Sequence, residues 1–124
     1  MCIMKLMSDR VVQRALELLP GVGCIVDLYD MSFVWASEEV MKIFGYTKEE
    51  IMHIKCYETL DEKNQEQEWE KIMAERLEKG RGNTAVFVKN KAGKLMRLKM
   101  QHQIFGADGG MYMAAKEFEV EDVG

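Results

Sequence analysis

The apolar residues near the start of the chain recur at helical spacing. One stripe consists of Met4, Met7, Val11, Ala15 and Leu18. A second stripe lies beside it at positions 12, 16 and 19. Because spacings of three and four residues place side chains on one helix face, the pattern predicts a helix over residues 3–19. Two stripes make a wider apolar surface than a short helix needs, so either the same helix of a second subunit or a deep groove of the chain's own sheet covers it.

After this helix the spacing changes to a period of two, which is typical of strands. Pro20 and Gly21 separate the two regions, because proline cannot continue a helix and glycine supplies a turn. The alternation predicts strands over residues 23–28 and 33–36, joined by a hairpin turn at 29–32.

The middle of the chain contains the start and stop signals of helices. Ser37 is a predicted N-cap of a helix that ends at Gly45, and Thr47 with Glu50 forms the pattern of a capping box. One more turn is predicted over residues 55–60. A longer helix is expected from residue 61 to residue 79, with one apolar side made of Trp69, Ile72, Met73 and Leu77.

The last third of the chain predicts a meander of three strands, over residues 83–89, 94–105 and 111–120, with glycine-containing turns between them. In the middle strand one face carries Met96, Leu98, Met100, His102 and Ile104. The other face carries Arg97, Lys99, Gln101 and Gln103. Strands, then helices, then strands imply an α+β domain in which helices cover one face of a single antiparallel sheet.

Composition narrows the class of protein. A chain of 124 residues that is 48% hydrophobic and 31% charged is long enough for one folded domain. We expect an N-terminal helix at residues 1–20, the domain at 21–120 and a tail at 121–124. A net charge of −4 argues against a nucleic-acid partner, and no apolar run approaches the ~20 residues that span a membrane. The three cysteines are irregularly spaced, so we expect free thiols in a reducing cytoplasm, with neither a zinc site nor disulfides.

Several short motifs occur in a familiar order. Residues 34–37 (VWAS) are followed by residues 44–51 (FGYTKEEI), then by KAGK at 91–94 and DGG at 108–110. Together they resemble a PAS domain, a sensory and signalling module, over roughly four fifths of the chain. The sequence departs from the family at Ser37, where asparagine is usual, and at residues 61–62, where a His-Pro-x-Asp stretch is expected.

The resemblance implies a five-stranded antiparallel sheet with short helices on one face and a flanking N-terminal helix. It implies a small pocket under those helices, for which we expect Met41, Phe44, Met52, Cys56, Met73, Phe87, Met96, Leu98, Met100, His102 and Met113. The opposite sheet face, with Gln101 and Gln103, is expected to meet the N-terminal helix or a partner. A homodimer is expected through Met4, Met7, Val11, Ala15 and Leu18, with signalling, as in two-component systems, through a partner protein or a missing effector domain.

Two residues are candidates for cofactor chemistry. Cys56 lies close to the reactive cysteine of the flavin-binding, light-sensing branch of the family, but its neighbours KCYETL lack that branch's amides and arginine. Cys56 is therefore predicted to be a small buried hydrophobe. His102 on its apolar strand face could hold a ligand, a haem iron or a neighbouring carbonyl, although residues 61–79 contain no histidine of the kind that haem-binding PAS domains use. No cofactor is favoured, and a satisfied core histidine is the simpler interpretation.

Three functions remain open at this point. The chain is a dimerisation or protein-docking module with a filled core, a sensor of a small apolar ligand or of a cofactor such as haem or flavin, or a small α+β enzyme. Because the sequence contains no nucleophile–base pattern, no phosphate-binding glycine loop and no metal-ligand spacing, we predict that it is not an enzyme.

Overall fold

The computed structural model describes residues 9–60 and 66–123. The helices are α1 (Asp9–Leu18), α2 (Glu38–Phe44), α3 (Lys48–Ile51) and α4 (Glu66–Lys79), with a 3-10 turn at Cys56–Thr59. The strands are β1 (Cys24–Asp27), β2 (Phe33–Ala36), β3 (Arg81–Lys89), β4 (Leu95–Ala107) and β5 (Gly110–Asp122). They form one five-stranded sheet in the order β2-β1-β5-β4-β3, and every neighbouring pair is antiparallel. The predicted α+β fold is confirmed.

Each face of the sheet carries a hydrophobic core of its own. The inner face packs under α2, α3 and the 3-10 turn, with Val26, Leu98 and Met113 among its buried side chains. The outer face carries a second buried cluster that includes Ile25 and Ala114. Because successive residues of a strand point to opposite faces, neighbouring residues of β1 and β5 belong to different cores.

Helix α1 covers part of the outer face. Val11, Ala15 and Leu19 are buried there, at 2%, 0% and 4% exposed, in one cluster with Ile25 and Ala114. This corrects the predicted dimer contact for Val11 and Ala15, since their side chains already pack on the chain's own sheet. Leu18 is half-buried.

Two residues of the second apolar stripe are not fully buried against the sheet. Leu16 is 45% exposed, and Val12 is half-buried. Met4 and Met7, and the predicted helical residues 3–8, lie outside the described residues.

The predicted caps set the helix positions. The Ser37 hydroxyl accepts a hydrogen bond from the Val40 amide at 3.2 Å. The Thr47 hydroxyl accepts from the Glu50 amide at 3.1 Å, and the Glu50 carboxylate accepts from the Thr47 amide at 2.9 Å. These reciprocal bonds satisfy amides that a helix start leaves open, and they fix where the helices above the sheet begin.

A bulge in β5 changes which of its side chains face outward. The register between β4 and β5 shifts between Lys99 and Met100. The shift places Glu119 beside Lys99, 2.9 Å from its ammonium, and Glu121 3.7 Å from the Arg97 guanidinium. The part of the outer face that α1 does not cover therefore carries ion pairs between β4 and β5. Met113 and Ala115 of β5 lie on the inner face.

Some predicted boundaries and orientations differ from the structure. Strand β5 continues to Asp122, which pairs with Met96, so residues 121–122 are strand rather than tail. On α4, Leu77 is 62% exposed and Arg76 is buried instead, whereas the side chains of Trp69 and Ile72 lie outside the described part of the chain. No described helix has the length and apolar character needed to cross a membrane.

The packing of α1 gives a first prediction. Ala15→Glu should lower the free energy of unfolding by roughly 3 kcal/mol or more, because a carboxylate would replace a methyl group that is 0% exposed against the sheet. Urea unfolding followed by circular dichroism measures the change.

Gln13→Glu on the exposed side of the same helix is the matched control and should change stability by less than about 0.5 kcal/mol. Equal stability of the two variants would show that α1 does not pack on the sheet in this way.

Candidate functional site

A small cavity lies between the inner face of the sheet and the short helices. Its volume is about 50 Å³. Six of the predicted pocket residues line it: Phe44, Cys56, Leu98, Met100, His102 and Met113. Nine further residues complete the lining: Cys24, Val26, Phe33, Thr59, Leu60, Arg76, Val86, Val88 and Ala115. Most of this wall is apolar, so its few polar groups determine what it can recognise.

Five predicted pocket residues are not part of the lining. Phe87 alternates with the buried Val86 and Val88 and therefore points to the outer face of β3, which makes its prediction wrong. Met96 and Met52 belong to the surrounding inner core. Met41 is half-buried on α2, and the sulfur of Met73 contacts Arg76.

His102 is a buried polar residue in the wall of the cavity. It extends from the inner face of β4, is 1% exposed, and its Nδ1 lies 3.1 Å from the carbonyl oxygen of Gly82 on β3. A carbonyl only accepts, so we assign the proton to Nδ1, and Nε2 carries the lone pair. Nε2 has no hydrogen-bond partner among the described residues. The histidine is thus only half satisfied, unlike the predicted core histidine.

Burial, and to a smaller extent the charge of the nearby Arg76, lower the pKa of His102 to about 3 against the opposing effect of the Gly82 carbonyl. At neutral pH the ring is therefore uncharged, with the Nδ1 proton held by the backbone and Nε2 without a partner among the described residues.

Arg76 is the second polar group, and the sequence analysis did not identify it. Its side chain is 3% exposed, and Nη1 donates to the sulfur atoms of Met113 at 3.6 Å and Met73 at 3.7 Å. Burial lowers the pKa of Arg76 to about 10, so the guanidinium remains charged at neutral pH. A signal existed in the sequence, because Arg76 lies three residues after Met73 and seven after Trp69, on the apolar stripe of its helix.

Cys56 is held at the start of the 3-10 turn. Its amide donates to the Met31 carbonyl at 2.8 Å, and the Thr59 hydroxyl donates to the Cys56 carbonyl at 2.7 Å. Burial raises the pKa of the Cys56 thiol to about 12, more than the charge of Arg76 lowers it. The thiol is therefore protonated and a poor nucleophile at neutral pH.

The arrangement suits binding better than bond-breaking chemistry. A neutral imidazole, a protonated thiol and a guanidinium provide no nucleophile–base pair within the described lining. No group of three metal-binding side chains comes together in residues 9–60 and 66–123. The described wall of the cavity is mostly apolar, and its buried polar side chains are those of Thr59, Arg76 and His102.

Comparisons with known proteins agree with this fold. No protein-family model matches the sequence, and no curated protein matches it. Among solved structures, a PAS domain from Desulfitobacterium hafniense superposes with a TM-score of 0.66 at 21% identity, covering 87% of this chain and 97% of that one. The dark structure of the blue-light photoreceptor Aureochrome1 LOV gives 0.65 at 16% identity, over 87% and 83%. A Rhodobacter sphaeroides LOV protein gives 0.67 at 18% identity, over 86% and 67%.

At these identities the likeness establishes the fold, and the predicted PAS fold is confirmed.

Flavin, which the sequence analysis considered because of the position of Cys56, does not fit the described residues. A cavity of about 50 Å³ is far below the roughly 300–1,000 Å³ of sites that enclose such ligands. The β4 amides Gln101 and Gln103 alternate with His102 and therefore lie on the outer face. A haem is excluded from the present cavity by the same volume.

The buried imidazole gives a prediction on pH. Because the pKa of His102 is about 3 in the folded chain and 6.5 when exposed, its contribution to stability is complete above pH 6.5 and is lost as the pH falls toward 3. Between pH 7 and pH 5 this group should cost about 2 kcal/mol of unfolding free energy. Urea unfolding at both pH values measures it.

His102→Leu should remove most of that loss, whereas His53→Leu, at an exposed position, should retain it. An unchanged pH dependence in His102→Leu would mean that the buried ring is not kept neutral.

Proposed function

We propose that this chain is a sensory and signal-transduction module that binds a small molecule in the inner cavity and reports its occupancy through protein–protein contacts at α1. The observation that carries the proposal is the half-satisfied His102 in the wall of a mostly apolar cavity of about 50 Å³. A core selected only for packing has few reasons to keep a buried acceptor without a partner. The PAS fold supports the same function.

The strands β1 and β5 provide the physical link between cavity and helix. Cys24 and Val26 line the cavity, and Ile25 between them packs in the cluster of α1. Likewise Met113 and Ala115 line the cavity, and Ala114 between them contacts the same cluster. Since densely packed side chains transmit displacement, a ligand that moves either strand changes the surface on which α1 rests.

Such a shift needs unequal affinity. A ligand changes the position of α1 only if it binds one arrangement of the strands and helix more tightly than another. The proposal includes no catalytic step. It includes a cytoplasmic location and a partner protein or effector domain, with a two-component pathway as the setting suggested by the PAS resemblance.

Occupancy of the cavity can be tested with xenon, which enters small apolar cavities. The methyl signals of Val86, Leu98 and Met113 should shift in a saturable manner under xenon pressure, as measured by carbon–proton correlation NMR.

Ala115→Val, which fills part of the cavity, should abolish the shift, whereas Ala85→Val at an exposed position of β3 should leave it intact. Methyl signals that move linearly with pressure in all three proteins would refute a ligand cavity.

Dimerisation is proposed through the outward side of α1, around Leu16, which is 45% exposed. Leu16→Glu should shift the protein toward the monomer, by about tenfold or more in dissociation constant, in analytical ultracentrifugation. Its stability should change little, because Leu16 is not part of the buried cluster.

Gln13→Glu adds the same charge at a polar position of the helix and serves as the control. Identical sedimentation of wild type and Leu16→Glu would place any dimer contact elsewhere.

A further inference from the structure

We propose that the turn between β3 and β4, residues 90–94, is a strap that holds the short helices over the cavity, and that a ligand enters and leaves when this strap opens. The inference rests on the proposed function, because it names the part of the chain that controls access to the same cavity. It is carried by two contacts that Lys91 makes with the layer of helices.

The cavity wall has one part that is fixed in the sheet and another part that lies above it. Most of the described lining residues belong to the five strands, whose backbones are joined by continuous pairing. Phe44 is different, because it is the last residue of α2 and lies in the layer of helices. Moving Phe44 therefore opens the cavity without breaking the sheet.

The other described walls above the sheet are connected to it more directly. The 3-10 turn is held on both sides, since the Cys56 amide donates to the Met31 carbonyl at 2.8 Å and Leu60 forms a β-bridge with Val88. Helix α4 continues into β3 after a single residue. The end of α2 is thus the described wall whose attachment depends on a separate turn.

Lys91 attaches the end of α2 to that turn by two contacts. Its backbone amide donates to the Phe44 carbonyl at 2.8 Å. Its ammonium group forms an ion pair with the Glu50 carboxylate on α3. Gly45, at a φ of 75°, lies between the two attachment points, and this left-handed conformation ends α2. One residue of the strap therefore holds the chain on both sides of the bend between α2 and α3.

The turn has hydrogen bonds of its own that keep its shape. The Asn90 amide donates to the Lys94 carbonyl at 3.0 Å, and the Asn90 side-chain oxygen accepts from the Lys94 amide at 2.8 Å. The Gly93 amide donates to the Asn90 carbonyl at 2.9 Å. Because Lys91 lies between these residues, the turn keeps its backbone in place whether or not the helices are attached.

The ion pair of the strap lies at the surface, which makes the attachment reversible. The side chains of Lys91 and Glu50 are 52% and 37% exposed. Water and salt screen an ion pair in such a position, and breaking it leaves no charge buried. Phe44 is only 4% exposed, so the closed strap keeps this wall shut. A weak surface contact thus controls a buried wall.

Amide hydrogen exchange measures the opening of the strap, because the amide of residue 91 exchanges when its bond to the Phe44 carbonyl breaks. Lys91→Met keeps this amide and removes the ion pair. After correction for the intrinsic rate, exchange at residue 91 should become about twofold to fivefold faster, as expected for the loss of one exposed ion pair.

Two further variants identify the ion pair as the cause. Glu50→Gln should speed exchange by the same factor, since glutamine can still accept the capping bond from the Thr47 amide but carries no charge. Combining it with Lys91→Met should add nothing. Lys94→Met is the matched control in the same turn, because the ion pair of Lys94 with Asp122, at 2.9 Å, does not involve the helices. It should leave exchange at residue 91 unchanged.

Access to the cavity is measured with xenon. The rate at which xenon leaves is obtained from the broadening of the Leu98 methyl signal at pressures below saturation, since Leu98 lines the cavity. Lys91→Met should raise this rate by the factor seen in amide exchange, and Lys94→Met should keep the wild-type rate.

Unchanged amide exchange in Lys91→Met would overturn the inference, because the ion pair would then not hold the strap. Faster amide exchange with an unchanged xenon rate would overturn it too, since the strap would open without admitting a ligand, and the cavity would remain a binding site. Lack of any saturable xenon response in the wild type would refute the proposed function and the entry route with it.

Discussion

The structure depends on a sheet that must bury both of its faces. The short strand β1, which lies between β2 and β5, is buried at Cys24, Ile25 and Val26 in succession, so side chains on both of its faces are shielded from water. Covering only the inner face with α2 and α3 would leave Ile25 and Ala114 exposed, and α1 supplies the second layer. The two cores therefore share one set of strands, which is the physical basis of the proposed coupling between them.

The inner core tolerates two polar groups that ordinary packing would exclude. Burying a guanidinium beside an imidazole costs solvation energy, which is reflected in the lowered pKa values of both Arg76 and His102. The sulfur atoms of Met73 and Met113 accept hydrogen bonds from Nη1 of Arg76, but a thioether sulfur is a weak acceptor. Their polarizability nevertheless suits a buried cation, and this gives two of the eleven methionines a specific role beyond filling space.

Much of the fold could be predicted from the sequence because its signals are local. The caps at Ser37 and Thr47 and the alternation along β4 depend on residues a few positions apart. The orientation of Phe87 was predicted wrongly. The alternation of side chains along β3 shows that Phe87 and its neighbours face opposite sides of the sheet, but which side is the inner one depends on how β3 pairs with β4. The wide apolar surface of α1 was correctly identified, but local spacing cannot distinguish a partner subunit from the chain's own sheet.

The candidate site was predicted in part for the same reason. His102 stood out as a polar residue on an apolar strand face, whereas Arg76 was not singled out in the sequence. Its burial arises from contacts 37 residues away along the chain, with Met113. The burial of Cys56 was predicted because its neighbours lack the amides and the arginine of the flavin-binding branch, and the raised pKa of its thiol agrees with that burial.

The coupling of the two cores is the central claim, and the Ala15 methyl signal under xenon pressure tests it most directly. Ala15 lies on the side of the sheet opposite to the cavity. The account predicts that its signal moves in a saturable manner with the same midpoint as the Leu98 methyl in the cavity wall. Saturation at Leu98 with no response at Ala15 would contradict the account, because the cavity would then fill without affecting the helix.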